Sequence, residues 1–305
     1  MVTVRQLECF VGVVDSGTFT AAAEVLLLTQ PALSRSVREL ERVVGAPLLE
    51  RLPRGVELTA VGRAVLPAAR SALAEARRVR EIGRRAAGLL TGELHVAVVQ
   101  SLTLGALLPV VRLWREEHPE VELRITEFTH RDHLEQVVRD GFADVAVSPR
   151  PRDWDGPVRE LGTEEFVLIL PTGESAPVGE RLPVAGLAQR RWVHFDPVNG
   201  LAEVVDRTCA AAGFSPIVSV RTAQTSAAPR LAAAGLGVAL VPANILVPTD
   251  AMTVAFPEPA VRRPVAAFTR RAPDPMAGAF LELLERAAAV VPAFLPAPPD
   301  RSVGE

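Results

Sequence analysis

The sequence predicts a multidomain α/β protein with a small helix-rich head, one long linker helix and a bilobed α/β body of two Rossmann-like halves. Three observations carry that expectation. The chain has 305 residues, which at roughly 100 to 200 residues per domain is enough for two or three domains. Apolar residues recur at helical spacing through most of the first 90 positions, then fall into short strand-like runs alternating with helical ones. Charge divides at the same place: residues 1–90 hold 13 Arg against 9 acidic residues, a net +4, and the remainder is −7.

Composition excludes several classes. With 49% hydrophobic and 23% charged residues, neither wholesale disorder nor a fibrous repeat is expected. There is no apolar run of membrane-spanning length, and MVTVRQLECF lacks the basic flank and apolar stretch of a signal peptide. A cytoplasmic protein with no membrane partner is expected. Cys9 and Cys209 are the only cysteines, so neither a disulfide framework nor a CxxC metal knuckle can be built from them. All 33 basic residues are Arg, which leaves every anion contact to a guanidinium or a backbone N–H.

The head reads element by element. Thr3 with Gln6 has the spacing of a capping box, and Val4, Leu7, Val11 and Val14 then define a helix that Ser16-Gly17 stops. Thr18 or Thr20 caps a short second helix through Ala21 to Leu26. Thr29 caps a third, Pro31 fits its first turn, and Gly45 ends it. At 100° per residue, Leu33, Val37, Leu40 and Val44 form a core stripe, and Pro31, Ser34, Arg35, Arg38 and Arg42 fall opposite.

Two short helices joined tightly, the second showing hydroxyl and Arg side chains near its start, are what a helix-turn-helix needs to enter the DNA major groove. Gln30 sits where an amide can pair with adenine, and Arg35 where a guanidinium can address guanine or phosphate. APLLERLPRGVELT, residues 46–59, then reads as a two-stranded wing turning at Pro53 to Gly55, with Arg51 and Arg54 placed for phosphates.

The run AAAEVLLLTQPALSRSVRELERVVGAPLLERLPRGVELTAVG resembles the winged helix-turn-helix of LysR-type transcriptional regulators. The matching pieces are Ala22-Ala23, Thr29 to Arg35, Gly45 to Arg51, and Arg54 to Gly62. Leu49 stands where that family usually has Phe, and Ala60 where it often has Pro. The resemblance implies that Gln30, Pro31, Ser34 and Arg35 face bases or the adjacent backbone. It makes Thr29, Arg38, Arg51 and Arg54 the phosphate candidates.

From Thr59 to about Ala87 the pattern stays helical, with Val65, Ala69, Ala72, Ala76 and Val79 at coiled-coil spacing. Arg63, Arg70, Arg77 and Arg84 recur every seven residues along one side, and Pro67 marks a potential kink. In the LysR-type family this helix pairs two chains, so the resemblance implies a homodimer or homotetramer delivering two heads to two half-sites.

Beyond residue 91 strands and helices alternate. ELHVAVV, LGALLPVVRLWREEHPE, VELRITEF, HLEQVVRDG and ADVAVS make a βαβαβ half, and EEFVLIL opens a second with RWVHF, LAEVVDRTCAAAGF, IVSVR, APRLAAAG and VALV. Such alternation predicts parallel sheets flanked by helices, with a ligand crevice between the halves. Its candidate loops, residues 100–103, 197–200 and 224–226, each precede a predicted helix. Ser101, Thr103, Asn199, Gly200, Thr225 and Ser226 are therefore the effector candidates, and helix N-termini there favour a small anion such as a carboxylate. The body is also similar to the periplasmic-binding-protein-like effector domain of the LysR-type family, whose ligand positions match Ser101, Thr103 and Thr225. APDPMAGAFLELLERAA reads as a final helix and LPAPPDRSVGE as a loose tail.

The resulting expectation is an all-α winged helix-turn-helix head at 1–59, a linker helix at 60–90, a bilobed α/β effector-binding domain at 91–297 and a tail at 298–305. Lobe I takes about 91–160 and 266–297, and lobe II about 161–265. The function expected is a sequence-specific transcriptional regulator whose binding to promoter DNA is tuned by a small-molecule effector, with RNA polymerase as a further partner. The alternatives are a cytoplasmic α/β enzyme, which lacks any catalytic constellation, or a solute-binding protein with an incidental helical head. No cofactor or metal is expected. Gly235-Leu-Gly237 lacks the third glycine of a dinucleotide fingerprint, Gly173-Glu-Ser175 lacks the closing glycine of a nucleophile elbow, and His130 with His133 lacks a third ligand. Paired-cysteine peroxide sensing, known in one branch of the family, is not expected either.

Overall fold

The computed structural model describes residues 1–52, 55–86, 92–174, 181–247, 252–292 and 294–295. Contacts divide the chain into two compact units, Met1–Gly92 with Gln136–Phe142, and Glu93–Glu135 with Ala143–Glu305.

The head follows its local signals. Helix α1 (Val4–Ser16) begins with a complete capping box: Gln6 N donates to Thr3 Oγ1 at 3.3 Å, and Thr3 N to Gln6 Oε1 at 3.0 Å. Gly17 ends it in the left-handed region. Thr18 rather than Thr20 caps α2 (Phe19–Val25), and Thr29 caps α3 (Gln30–Val44), which stops at left-handed Gly45. Helix α1 is buried on two faces. Leu7, Phe10 and Val11 pack with Leu40 and Leu48, and Cys9 and Val13 pack with Phe19, Ala22, Leu33 and Val37. Each large side chain buried this way is worth roughly 1.5–3 kcal/mol.

The wing is antiparallel, β1 (Leu49–Leu52) on β2 (Gly55–Leu58), with Leu49 opposite Leu58 and Leu52 opposite Gly55. Thr59 then joins wing to linker. Its hydroxyl donates to Pro47 O at 2.7 Å and accepts from Gly62 N at 2.9 Å. Helix α4 (Ala60–Ala86) runs on through Pro67. A Cβ at Gly62 would sit 2.0 Å from the Leu48 carbonyl oxygen, so only glycine lets the helix start this close to the wing. The expected coiled-coil stripe has two fates. Ala69, with Leu73, is buried in the head's own core and Val65 packs against it, whereas Ala72 and Val79 are exposed.

The body has two lobes joined by two crossing strands. In the first, β3 (Glu93–Val99) pairs in parallel with β4 (Glu122–Phe128) and β5 (Val145–Pro149). The connections are a helix in three parts and α7 (Arg131–Arg139). Those parts are α5 (Gln100–Leu102), a π-helical segment (Thr103–Leu107) and α6 (Leu108–Glu117). The long strand β6 (Val158–Leu170) then crosses between lobes. Its first part pairs with β12 (Arg262–Phe268), and Phe166 to Leu170 carry β10 (Ala239–Pro242) and β11 (Thr253–Glu258). The second lobe adds β7 (Arg181–Pro183) and a parallel pair, β8 (Arg191–Phe195) with β9 (Ile217–Thr222). Helix α8 (Gly200–Ala211) connects the two strands of that pair, α9 (Ala227–Leu231) follows β9, and α10 (Pro275–Ala287) returns to pack on α6.

The expectation of parallel sheets is corrected: β6 pairs antiparallel with β10, β11 and β12, and β12 antiparallel with β5. The large sheet is mixed because β6 leaves the first lobe and β12 returns to it, running in opposite directions through the same junction, whereas β8 and β9 stay a parallel pair.

Candidate functional site

Two surfaces carry functional chemistry, one in each unit. On the head, Thr29, Gln30, Pro31, Arg35, Arg38 and Arg42 are exposed while Leu33, Val37 and Leu40 close into the core. The Arg35 side chain is 82% exposed and pairs with Glu39 one turn on, at 3.1 Å. Ser34 departs from the reading that set it opposite the core, being only 7% exposed. It lies about a quarter turn from the core stripe, a borderline position that the neighbouring α2 and wing decide. Its backbone oxygen and hydroxyl accept from Arg38, at 3.2 and 3.3 Å, so Ser34 orients a guanidinium instead of presenting its own hydroxyl. The Arg51 side chain and all of Arg54 lie outside the described residues. Leu27, between α2 and α3, is 92% exposed and holds a left-handed φ of 52°.

In the body, Ser101, Asn199, Gly200 and Thr225 line one crevice of about 220 Å³ between the lobes. Asn199 caps α8 through Leu201 N at 3.0 Å, and its amide nitrogen donates to Thr225 Oγ1 at 3.3 Å. Ser101 Oγ accepts from Arg263 Nη2 at 3.3 Å. Thr103 and Ser226 do not line this crevice. Ser226 lines an adjoining cavity of about 300 Å³ that shares Gln100 and Thr225 with the first, and Thr103 donates to Glu127 at that cavity's edge. The helical offset of two residues from Ser101 turns Thr103 away from it. Among the described residues Gln100 Oε1 is buried without a hydrogen-bond partner, an acceptor that a ligand donor would satisfy.

The N-terminus of α8 does not supply the anion preference expected of it. At α8 the leading N–H groups are already used: Gly200 N donates to Thr129 O across the crevice at 3.0 Å, Leu201 N to Asn199 Oδ1 and Ala202 N to Asn199 O. Positive charge comes instead from arginines that periodicity does not single out, Arg131, Arg152, Arg207, Arg262 and Arg263. Arg263, at the return crossing, donates to the fully buried carboxylate of Glu164 on β6, whose other oxygen accepts from Asn244 Nδ2 at 2.8 Å. Asn244 backs against the π-helical segment at Gly105, where a Cβ would lie 2.5 Å from Asn244 O. Ser101, Arg263, Glu164, Asn244 and Gly105 thus form a closed ring from the crevice wall to the junction and back. No single helix or strand holds this ring, so no local pattern displays it.

Cys209 is buried, and burial, reinforced by Asp206, pushes its thiol up to about 12. The reactive thiolate form is disfavoured there. Among the described residues no group of three or more His, Cys, Asp and Glu side chains could hold a metal ion, and no helix is long and apolar enough to cross a membrane.

Comparison with known proteins covers nearly the whole chain. Residues 4–63 match the bacterial regulatory helix-turn-helix protein, lysR family, and residues 87–289 the LysR substrate binding domain. The probable HTH-type transcriptional regulator LrrA of Synechococcus elongatus is 30% identical over 93% of this chain and 97% of its own. IlvR of Caulobacter vibrioides, also an HTH-type transcriptional regulator, is 34% identical over 79% and 83%. Among solved structures, the LysR family regulator CbnR aligns with a TM-score of 0.66 at 26% identity over 94% of this chain and 99% of its own. CbnR has also been solved with its target DNA, and that structure aligns at 0.63 over 93% and 99%. A capped recognition helix with its wing, a long linker helix and a two-lobed body with a crevice therefore coincide with matches across both modules: the chain belongs to the LysR family, as a DNA-binding transcriptional regulator with an effector-binding domain.

Proposed function

We propose that the leading end of α3 reads promoter DNA while the interlobe crevice binds a small-molecule effector. The observation that carries the first half is the outward crowding of Gln30, Pro31, Arg35 and Arg38 on a helix whose opposite face is sealed into the core. Gln30 and Arg35 contact base edges, Pro31 packs beside them, and Thr29 and Arg38 address phosphates. Ser34 acts through Arg38, and Arg51 and Arg54 on the wing complete the backbone contacts. CbnR, a relative solved on its target DNA, supports this reading.

Two chains pair along α4, using the exposed Ala72 and Val79 that the head leaves free. The resulting homodimer or homotetramer brings two heads to two half-sites. In the crevice, Ser101, Asn199, Gly200 and Thr225 orient the effector, with Thr103 and Ser226 at the adjoining cavity. The effector must interact differently with two arrangements of the assembly, changing dimer geometry or DNA bending and with it access for RNA polymerase. The protein acts in the cytoplasm, beside the DNA it reads.

Footprinting of purified protein on the DNA upstream of its own gene, at two salt concentrations, tests the DNA half. A salt-sensitive footprint spanning two or more half-sites is expected. No protection there, followed by no enrichment in a random-sequence selection, would overturn it.

A further inference from the structure

We infer that the crevice ligand is a small molecule with two separated anionic groups, one for each lobe, an inference that rests on the crevice being the effector site. Five guanidinium groups line this one small cavity, Arg131, Arg152, Arg207, Arg262 and Arg263. Three are committed within the protein. Arg131 pairs with Asp132 at 3.1 Å and Glu135 at 3.2 Å, and Arg263 with buried Glu164. Arg262 reaches Glu165 at 3.6 Å, a carboxylate it shares with Arg181 at 2.9 Å.

Arg152 and Arg207 are different, since neither makes an ion pair among the described residues. Arg152 follows β5 on the first lobe, and Arg207 lies on α8 of the second. The one carboxylate among the described lining residues is Glu203, 65% exposed and 3.5 Å from His130 Nε2. Two cations without ion-pair partners, one on each lobe of a single crevice, repel, and the repulsion strengthens as the lobes approach and water leaves. A monoacid can neutralise one of them and leaves the other lobe's charge unmatched. A diacid neutralises both and favours the approached arrangement, which is the differential interaction an effector needs. The planar fork of each guanidinium suits a carboxylate, and the Thr225 and Ser101 hydroxyls line the same crevice and can take the ligand's neutral polar atoms.

The test is calorimetric titration of the full chain with matched pairs: succinate against butyrate, glutarate against valerate, and phthalate against benzoate. Inorganic phosphate serves as an anion whose charge sits on one centre. At least one diacid should bind roughly tenfold or more tightly than its monoacid partner, an advantage of about 1.4 kcal/mol that shrinks at high salt. Arg152→Gln and Arg207→Gln should each bring that diacid down to the affinity of its partner; both side chains are exposed, so both variants should fold. Equal affinity within every pair, tighter binding of phosphate than of any diacid, or binding of no diacid would overturn the inference. Ser101→Ala and Thr225→Val separate the two levels. If these weaken ligand binding while the Arg variants do not, the crevice remains the effector site and the dianion class falls. If all four leave binding of a responding ligand untouched, the crevice reading itself falls.

Discussion

The head and the crevice do their work with similar materials, arginines, hydroxyls and a few amides, but assemble them in opposite ways. The DNA-facing side chains of α3 come from one helix, so a single capping residue and one apolar stripe aim them all. The crevice draws its wall from Val99 through Pro264, and its central ring closes only because β6 and β12 cross at Glu164 and Arg263. A surface carried on one element tolerates loss of a partner; a ring spread over several does not.

Breaking the ring should therefore cost most. Glu164→Ala leaves the Arg263 guanidinium without its buried counter-charge and is expected to destabilise the body by about 3–5 kcal/mol. Denaturant unfolding of the full chain would show it as a shift of the body's transition to lower denaturant while the head still binds DNA at low temperature; unchanged stability would mean that water or another group already solvates Arg263. In the head the corresponding weak point is a backbone approach. Gly62→Val drives a Cβ into the Leu48 carbonyl oxygen and should cost about 1–3 kcal/mol or more. The loss should appear in DNA affinity and head unfolding, with ligand titrations unaltered.

Substitutions on the recognition surface should be milder and more selective. Arg35→Ala is expected to weaken specific binding by about 1–3 kcal/mol while sparing non-specific binding. Arg54→Ala should lower both and reduce the salt dependence by about one phosphate's share. Equal loss on all sequences from Arg35→Ala would remove its base-reading role. The smallest effect should have the opposite sign. Leu27 holds a left-handed backbone with an exposed side chain, so Leu27→Gly should raise the head's stability by about 0.5–1 kcal/mol. A fall in melting temperature would show that the exposed leucine has a stabilising contact in the assembly.

The contrast between head and crevice also separates what is legible in the sequence from what is not. Thr3, Gly17, Thr18, Thr29 and Gly45 announce the ends of the head's helices because a cap acts on backbone groups two or three residues away. The strand-helix alternation likewise announces a two-lobed α/β body, and Ser101, Asn199, Gly200 and Thr225 do come together around one crevice. Thr103 and Ser226 do not, because loop membership says which end of a strand a residue occupies and not which way it turns.

The order of amino acids alone thus carries the head's helices and their caps, the wing, the basic head, the two lobes, and the family through motifs that local geometry demands. The antiparallel crossings, the inward turn of Ser34, the occupied N-terminus of α8 and the gathering of five arginines around one cavity arise only in the folded chain. The reason lies in the range of the forces involved. Capping and amphipathic burial act between near neighbours and leave a period in the chain, whereas the charge of a crevice is summed over residues that meet only when distant strands cross.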